Sequence, residues 1–120
     1  MMIYPLPDLL DKISIVKIKT ERTDEPECKK EIAYLMDNLP DYGFAEANTY
    51  ITRLHEINGK IWDLEADIRK GKDGELGLEE IGRRTIKIRG LNKIRISIKN
   101  EIVEKTNTGF KDIKINHAST

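Results

Sequence analysis

The most regular apolar pattern in the chain lies near its middle. Large apolar residues recur there at alternating steps of four and three, namely at Tyr50, Leu54, Ile57, Ile61, Leu64 and Ile68. Such a heptad repeat is typical of a helix that packs along another helix in a coiled coil. Gly71 follows, and glycine readily takes the left-handed conformation that ends a helix. The pattern therefore predicts a long helix over residues 47–70.

A second long helix is predicted beyond a glycine-rich connector at residues 71–77. Its seam consists mostly of apolar residues at helical spacing, namely Ile81, Thr85, Ile88, Leu91, Arg95, Ile98 and Ile102. Glu79 and Glu80 precede this seam and suit the positive end of a helix dipole. We predict a helix over residues 78–105. Because the connector is short, the two long helices should be antiparallel neighbours that form a helical hairpin.

The first segment, over residues 7–23, is also predicted to be helical. Leu9, Ile13 and Val16 recur at helical spacing, with Asp8 and Asp11 near the positive end of the dipole. Partial alternation of apolar residues after residue 13 leaves a strand as the alternative. Helix is favoured because the apolar period extends back into the preceding turn.

A shorter helix is predicted over residues 25–39. Pro26 stands near its first position, which tolerates proline, and Pro40 ends it. Its apolar stripe consists of Cys28, Ile32, Leu35, Met36 and Leu39. A turn is expected at residues 40–43, and the tail from residue 110 is expected to lie as an extended strip over the bundle.

These segments predict one all-α domain over residues 1–120. The predicted architecture is a long antiparallel helical hairpin with two shorter N-terminal helices, arranged as in a bundle. A length of 120 residues is usual for a single domain. We find no internal repeat and no linker that would divide the chain.

Charge and cysteine content narrow the possible partners. The 21 basic and 21 acidic residues balance, so no overall charge favours nucleic acid or an anionic membrane. No apolar run approaches the roughly 18 residues of a membrane span, and no signal peptide is expected. The single cysteine, Cys28, excludes an intrachain disulfide and a zinc site built on several cysteines. We expect a cytoplasmic protein without a cofactor or a membrane partner.

A polar cluster is predicted inside the hairpin. Counting outward from Gly74 places Asn58 and Asn92 at nearly one level, with Arg95 one turn further along the same seam. Buried asparagines in facing helices can bond to each other and fix their register. The same count places two further members, Glu65 and Arg84, nearer the tip. The alternative is a small-ligand site formed by Asn58, Asn92 and Arg95.

The charges along the hairpin are unevenly divided between its two helices. Residues 63–80 carry seven acids and three bases, whereas residues 82–100 carry seven bases and no acid. We expect the two stretches to form ion pairs near the connector. Nucleic-acid binding by the basic stretch is left as an alternative. It is not favoured, because the bases are scattered around the helix and no aromatic residue is interleaved to stack on bases.

No catalytic or metal-binding residue is predicted. Glu101 and Glu104 form one spaced carboxylate pair, and Glu21 and Asp24 form another. Helical nucleotide pyrophosphatases hold magnesium with such pairs, because hard cations prefer clustered oxygen ligands. The two pairs lie near opposite ends of the chain, so a metal-dependent phosphohydrolase stays only an alternative. Trp62 is expected to anchor a core or an interface.

Several stretches resemble a family of uncharacterised small helical proteins from bacteria and tailed phages. The resemblance rests on residues 9–15, 21–22, 54, 58, 61–65, 67–69, 92, 95, 99 and 101–102. It supports the segmentation above and implies no catalytic residue.

The sequence therefore favours a non-enzymatic helical interaction or structural module. Its two long helices would expose an apolar strip that two short helices are too few to cover. Exposed strips of that kind usually bind a partner. We expect that partner to be a second copy of the chain, which gives a homodimer.

Overall fold

The computed structural model describes residues 5–39, 46–68 and 73–106, and these residues form helices and no strand. The helices are α1 (Leu6–Arg22), α2 (Pro26–Asp37), α3 (Ala47–Asp67) and α4 (Asp73–Thr106). The all-α class is confirmed, and the first segment is a helix instead of a strand. The turn predicted at residues 40–43 and the tail predicted from residue 110 lie outside the described residues.

The start of α4 differs from the prediction. The helix begins at Asp73 instead of residue 78, but Gly77 interrupts it with φ of 76° and ψ of 160°. A positive φ carries little penalty for glycine, which has no Cβ. Uninterrupted helical geometry therefore starts at Leu78, where the sequence pattern placed it.

The helices α3 and α4 form the predicted antiparallel hairpin. Three ion pairs join them at successive levels, namely Glu46–Lys105 at 2.9 Å, Arg53–Glu101 at 2.7 Å and Asp67–Arg84 at 2.6 Å. Residue numbers rise along α3 as they fall along α4, which fixes the antiparallel sense.

The helix α1 packs against both helices of the hairpin, and α2 packs on α1. Asp8 pairs with Lys99 at 2.9 Å, and Lys12 pairs with Glu31 of α2 at 3.7 Å. The core lies where these helices meet. Its buried side chains are Leu6, Leu9, Leu10, Ile13, Val16, Leu35, Ala47, Tyr50, Ile51, Leu54, Ile98 and Ile102.

The far end of the hairpin lies outside this core. No side chain is buried in residues 62–68 of α3 or in residues 77–97 of α4, and we call these two stretches the hairpin arm. Three large apolar side chains of the arm are exposed, namely Leu78 at 89%, Ile86 at 66% and Ile94 at 47%. The arm therefore keeps the heptad pattern of its sequence, while most of its length, apart from the Asp11–Arg95 and Arg22–Asp63 ion pairs with α1, lies away from the core.

No helix in the described ranges is both long enough and apolar enough to cross a membrane.

Replacement of a core side chain should show how unevenly stability is distributed. We expect Leu54→Ala, at a fully buried position, to lower the free energy of unfolding by about 2–5 kcal/mol, because it leaves a cavity. Tyr34 is 54% exposed, and Tyr34→Ala should change that free energy by no more than about 0.5 kcal/mol. Urea denaturation followed by circular dichroism measures both. Equal losses would contradict the assignment of the core.

Candidate functional site

A buried carboxylate lies where α1, α3 and α4 meet. Asp11 of α1 is only 5% exposed, and Asn58 of α3 is 6% exposed. Asp11 Oδ1 accepts hydrogen bonds from Asn58 Nδ2 at 2.9 Å and from Arg95 Nε at 3.0 Å. Its second oxygen, Oδ2, accepts a hydrogen bond from Arg95 Nη2. Arg95 thus binds the carboxylate through two parallel N–H donors.

Ser14, one turn along α1 from Asp11, completes the group. Its hydroxyl donates to the backbone carbonyl oxygen of Asp11 at 2.7 Å and accepts a hydrogen bond from Asn58 Nδ2 at 2.8 Å. Both N–H groups of the Asn58 amide are therefore used within the site. We call Asp11, Ser14, Asn58 and Arg95 the Asp11 cluster. Among the described residues, no buried side-chain nitrogen or oxygen lacks a hydrogen-bond partner.

The Asp11 carboxylate can stay buried only if each of its hydrogen-bond partners is in place. Removal of a carboxylate from water costs several kcal/mol, and a paired, fully hydrogen-bonded geometry is needed to offset that cost. Bidentate contact with a guanidinium is the strongest such arrangement. Because its three charged or amide members come from three helices, the cluster fixes the relative register of α1, α3 and α4.

The structure brings four of the five predicted cluster residues to one place. Asn58, Asn92, Arg95 and Glu65 line a cleft of about 340 Å³ between α1 and the hairpin. Arg84 lies nearer the tip, where it pairs with Asp67 at 2.6 Å and with Glu80 at 3.2 Å.

Asn58 and Asn92 were expected to pair directly or through a shared water, and the direct hydrogen bond is absent among the described residues. Asn58 directs both of its amide N–H groups to α1, and no hydrogen bond joins it to Asn92 in the described part of the chain. The heptad count placed the two residues at similar levels, but it left out α1. Asp11 of α1 offers Asn58 a charged acceptor, which forms a stronger hydrogen bond than a neutral amide does.

Sequence reasoning missed Asp11 and Ser14 as members of the site. It treated Asp11 as a charge that suits the start of a helix. The available signal was their position, because Asp11, Ser14 and Ile18 are spaced by three and four residues along one helix. All three are buried. The two polar residues therefore lie on the same buried stripe of α1 as the isoleucine.

Ion pairing at the hairpin tip is mostly local. Arg83 pairs with Glu79 and with Glu80 of its own helix, both at 2.9 Å. Arg84 reaches α3 from this region, through Asp67. Hydrogen bonds from Arg83 and Arg84 hold the pKa of Glu80 below its usual value. The hydrogen bond from Arg53 likewise lowers the pKa of Glu101. These groups are exposed, so water screens their interactions.

The other sequence candidates have separate surroundings. Glu101 pairs with Arg53, and Glu21 lies 2.7 Å from His55, so neither acidic pair meets the other. Within the described ranges no three histidine, cysteine or carboxylate side chains are grouped to hold a metal ion. Trp62 is half-buried and lines the cleft beside the Asp11 cluster.

Comparison of the chain with models of protein families, with curated proteins and with solved structures gives no match. The resemblance to small bacterial and phage proteins therefore stays a prediction, and the functional argument depends on the geometry of this chain.

Removal of the buried carboxylate should be costly. We expect Asp11→Ala to lower the free energy of unfolding by about 2–4 kcal/mol, because it leaves Arg95 and Asn58 without their acceptor. Asp8 is the matched control on the same helix. Its carboxylate also binds a base, Lys99, but the Asp8 side chain is 46% exposed, so Asp8→Ala should cost at most about 1 kcal/mol. Denaturant melts compare the two variants, and equal losses would contradict a special role for Asp11.

The same cluster predicts which residue pairs are coupled. A double-mutant cycle between Asp11→Ala and Asn58→Ala should show a coupling energy above about 0.5 kcal/mol, as is usual for residues in contact. The matching cycle between Asn58→Ala and Asn92→Ala should be additive. Strong coupling in the second cycle with none in the first would restore the asparagine pair.

Proposed function

We propose that the chain is a non-enzymatic helical interaction module that forms a homodimer through the outer face of α4. This outer face consists of the exposed residues on the side of α4 away from α1, namely Arg83, Ile86, Lys87, Gly90, Lys93, Ile94 and Ser97. The observation that carries the proposal is the 66% exposure of Ile86 and the 47% exposure of Ile94. Exposed apolar surface along a helix usually marks an interaction site.

This apolar surface continues into the groove between α3 and α4. One hollow of about 410 Å³ is bordered by Ile57 of α3 and by Ile94 and Ile98 of α4. A second hollow of about 590 Å³, nearer the tip, is bordered by Leu64 and Ile86. The exposed isoleucines are thus continuous with a groove that a second helix could fill as in a coiled coil or four-helix bundle.

The order of residues along the outer face supports a second copy of the chain as the occupant. Ile86 and Ile94 each lie four residues from Gly90, and Lys87 and Lys93 each lie three residues from it. Two antiparallel copies of α4 that cross at Gly90 would place Ile86 of each against Ile94 of the other. This is the self-complementary contact that a two-fold axis requires.

Gly90 would let the two helices approach closely. No atom lies within 4 Å of the position that a Cβ would take there. Without a side chain, the backbone at the crossing point can come near the partner helix. A bulky residue at the same position would hold the helices apart.

The groove carries charges of both signs. The two-fold arrangement brings Lys87 of one copy near Lys93 of the other, and like charges repel. Glu56 borders the same hollow as Lys93, and Glu80 borders the same hollow as Lys87, so an acid lies at each end to offset that repulsion.

A nucleic-acid partner is less well supported by the same charges. Four of the seven bases between residues 82 and 100 already pair with carboxylates of the chain, namely Arg83, Arg84, Arg95 and Lys99. In the described residues no carboxylate pairs with Lys87, Arg89 or Lys93. Three scattered bases give a weak electrostatic contact compared with the 6–10 phosphate contacts of a typical binding protein.

Sedimentation equilibrium tests the homodimer. We expect the wild-type chain at micromolar concentration to sediment with twice the monomer mass of 13.8 kDa. Gly90→Glu and Ile94→Asp should each shift it to the monomer, because a bulky or charged group replaces the contact at the crossing point. A wild-type chain that remains a 13.8 kDa monomer up to about 100 times the micromolar concentration would contradict the homodimer.

Thr85→Glu provides the matched control. Thr85 is exposed on the same arm, but it lies roughly 140° around the helix from Gly90 at about 100° per residue. It should leave the dimer intact. Circular dichroism of all three variants verifies that each is folded, so loss of the dimer is not mistaken for loss of the helices.

A further inference from the structure

A second surface of the chain has the features of a small-molecule site. The cleft of about 340 Å³ opens on the α1 side of the hairpin, next to the Asp11 cluster. Its apolar wall consists of Ile15, Ile18, Ile61 and Trp62. This volume falls at the lower end of the range of ligand sites, which are mostly apolar clefts with a few polar groups.

The one cation among the described residues in the wall of the cleft already has a counter-ion. Arg95 borders the cleft, but two of its N–H donors bind the carboxylate of Asp11. The positive charge of Arg95 is therefore opposed at hydrogen-bond distance, and Glu65 adds a carboxylate to the same wall. A ligand anion would meet little net attraction there, since the nearest cation already has a counter-ion.

Asn92 supplies a neutral hydrogen-bonding group in the same wall. Its side chain is half-buried and makes no hydrogen bond to another described residue. An asparagine amide offers two N–H donors and one carbonyl acceptor. A primary carboxamide on a ligand offers the same set, so the two amides can exchange a pair of hydrogen bonds.

We propose that this cleft binds a small molecule with an aromatic ring and a neutral carboxamide. The carboxamide pairs with the side-chain amide of Asn92. The ring packs against Trp62 and Ile61, since aromatic rings gain from offset or edge-to-face contact with an indole. Asp11 acts as a positioning residue, because it holds Arg95 and Asn58 at the cleft without touching the ligand.

Trp62 is the only tryptophan of the chain, so its fluorescence reports directly on occupancy of the cleft. Benzamide, benzoate and benzylamine share one ring and differ in the charge of the attached group, which makes them matched probes. We expect benzamide to change Trp62 emission saturably, with a Kd in the millimolar range that about nine non-hydrogen atoms allow. Benzoate should bind at least about tenfold more weakly, because Arg95 already has a counter-ion. Tighter binding of protonated benzylamine than of benzamide would assign a cation site at Glu65 instead.

Two variants locate the site. Asn92→Ala should weaken benzamide binding by at least about tenfold, which corresponds to a loss of about 1.4 kcal/mol. Asn48→Ala, at an exposed asparagine near the start of α3, is the matched control and should bind as the wild type does. Ile15→Phe should also abolish binding, because a larger side chain fills the cleft from α1 and leaves every polar group of the wall in place.

Several outcomes would overturn the proposal. The first is that benzamide causes no saturable change in Trp62 emission. The second is that folded Asn92→Ala binds benzamide as tightly as the wild type does. The third is that benzoate binds as tightly as benzamide or more tightly, which would assign an anion site instead. The titration is repeated with Gly90→Glu, which alters only the proposed dimer face. Benzamide binding by that variant supports the cleft whether or not the homodimer exists, so failure of one proposal does not decide the other.

Discussion

The buried carboxylate of Asp11 constrains the arrangement of three of the four helices in the described part of the chain. It can remain away from water only while Arg95 of α4 and Asn58 of α3 both point at it, and Ser14 connects the Asn58 amide to the backbone of α1. Any sliding of α1 along the hairpin by one turn would leave a charge without its partner. The apolar contacts around the cluster tolerate such sliding far better, because they have no directional requirement.

This constraint acts on only half of the hairpin. Beyond the level of Arg95, α1 no longer covers α4, and no side chain is buried from residue 77 to residue 97. The hairpin therefore has a packed half, in which the core holds the helices together, and an arm that α1 contacts through the Arg22–Asp63 and Asp11–Arg95 ion pairs. The long helices are stabilised at one end and expose apolar residues at the other.

The two proposed activities follow from this division. The outer face of α4 lies where none of the described helices packs, so Ile86 and Ile94 are exposed. The cleft beside Asn92 lies on the opposite side, where α1 leaves the hairpin. Because the two surfaces are separate, occupation of one leaves the other open. The proposed dimer and the proposed ligand site are therefore compatible with each other.

Hydrophobic periodicity by itself determined the helices and the antiparallel hairpin. It did not determine every residue of the seam, since Thr85 is exposed and Arg95 binds Asp11 of α1. The helices and the hairpin depend on the local spacing of apolar residues and on a short connector, and both can be read directly from the sequence. The partners of Asn58 and the exposure of the arm were decided only by the tertiary structure. Asp11 and Asn58 are 47 residues apart in the chain, and no local pattern specifies which face of the hairpin α1 covers. That choice depends on burying a carboxylate with all of its partners in place, which is a property of three helices together.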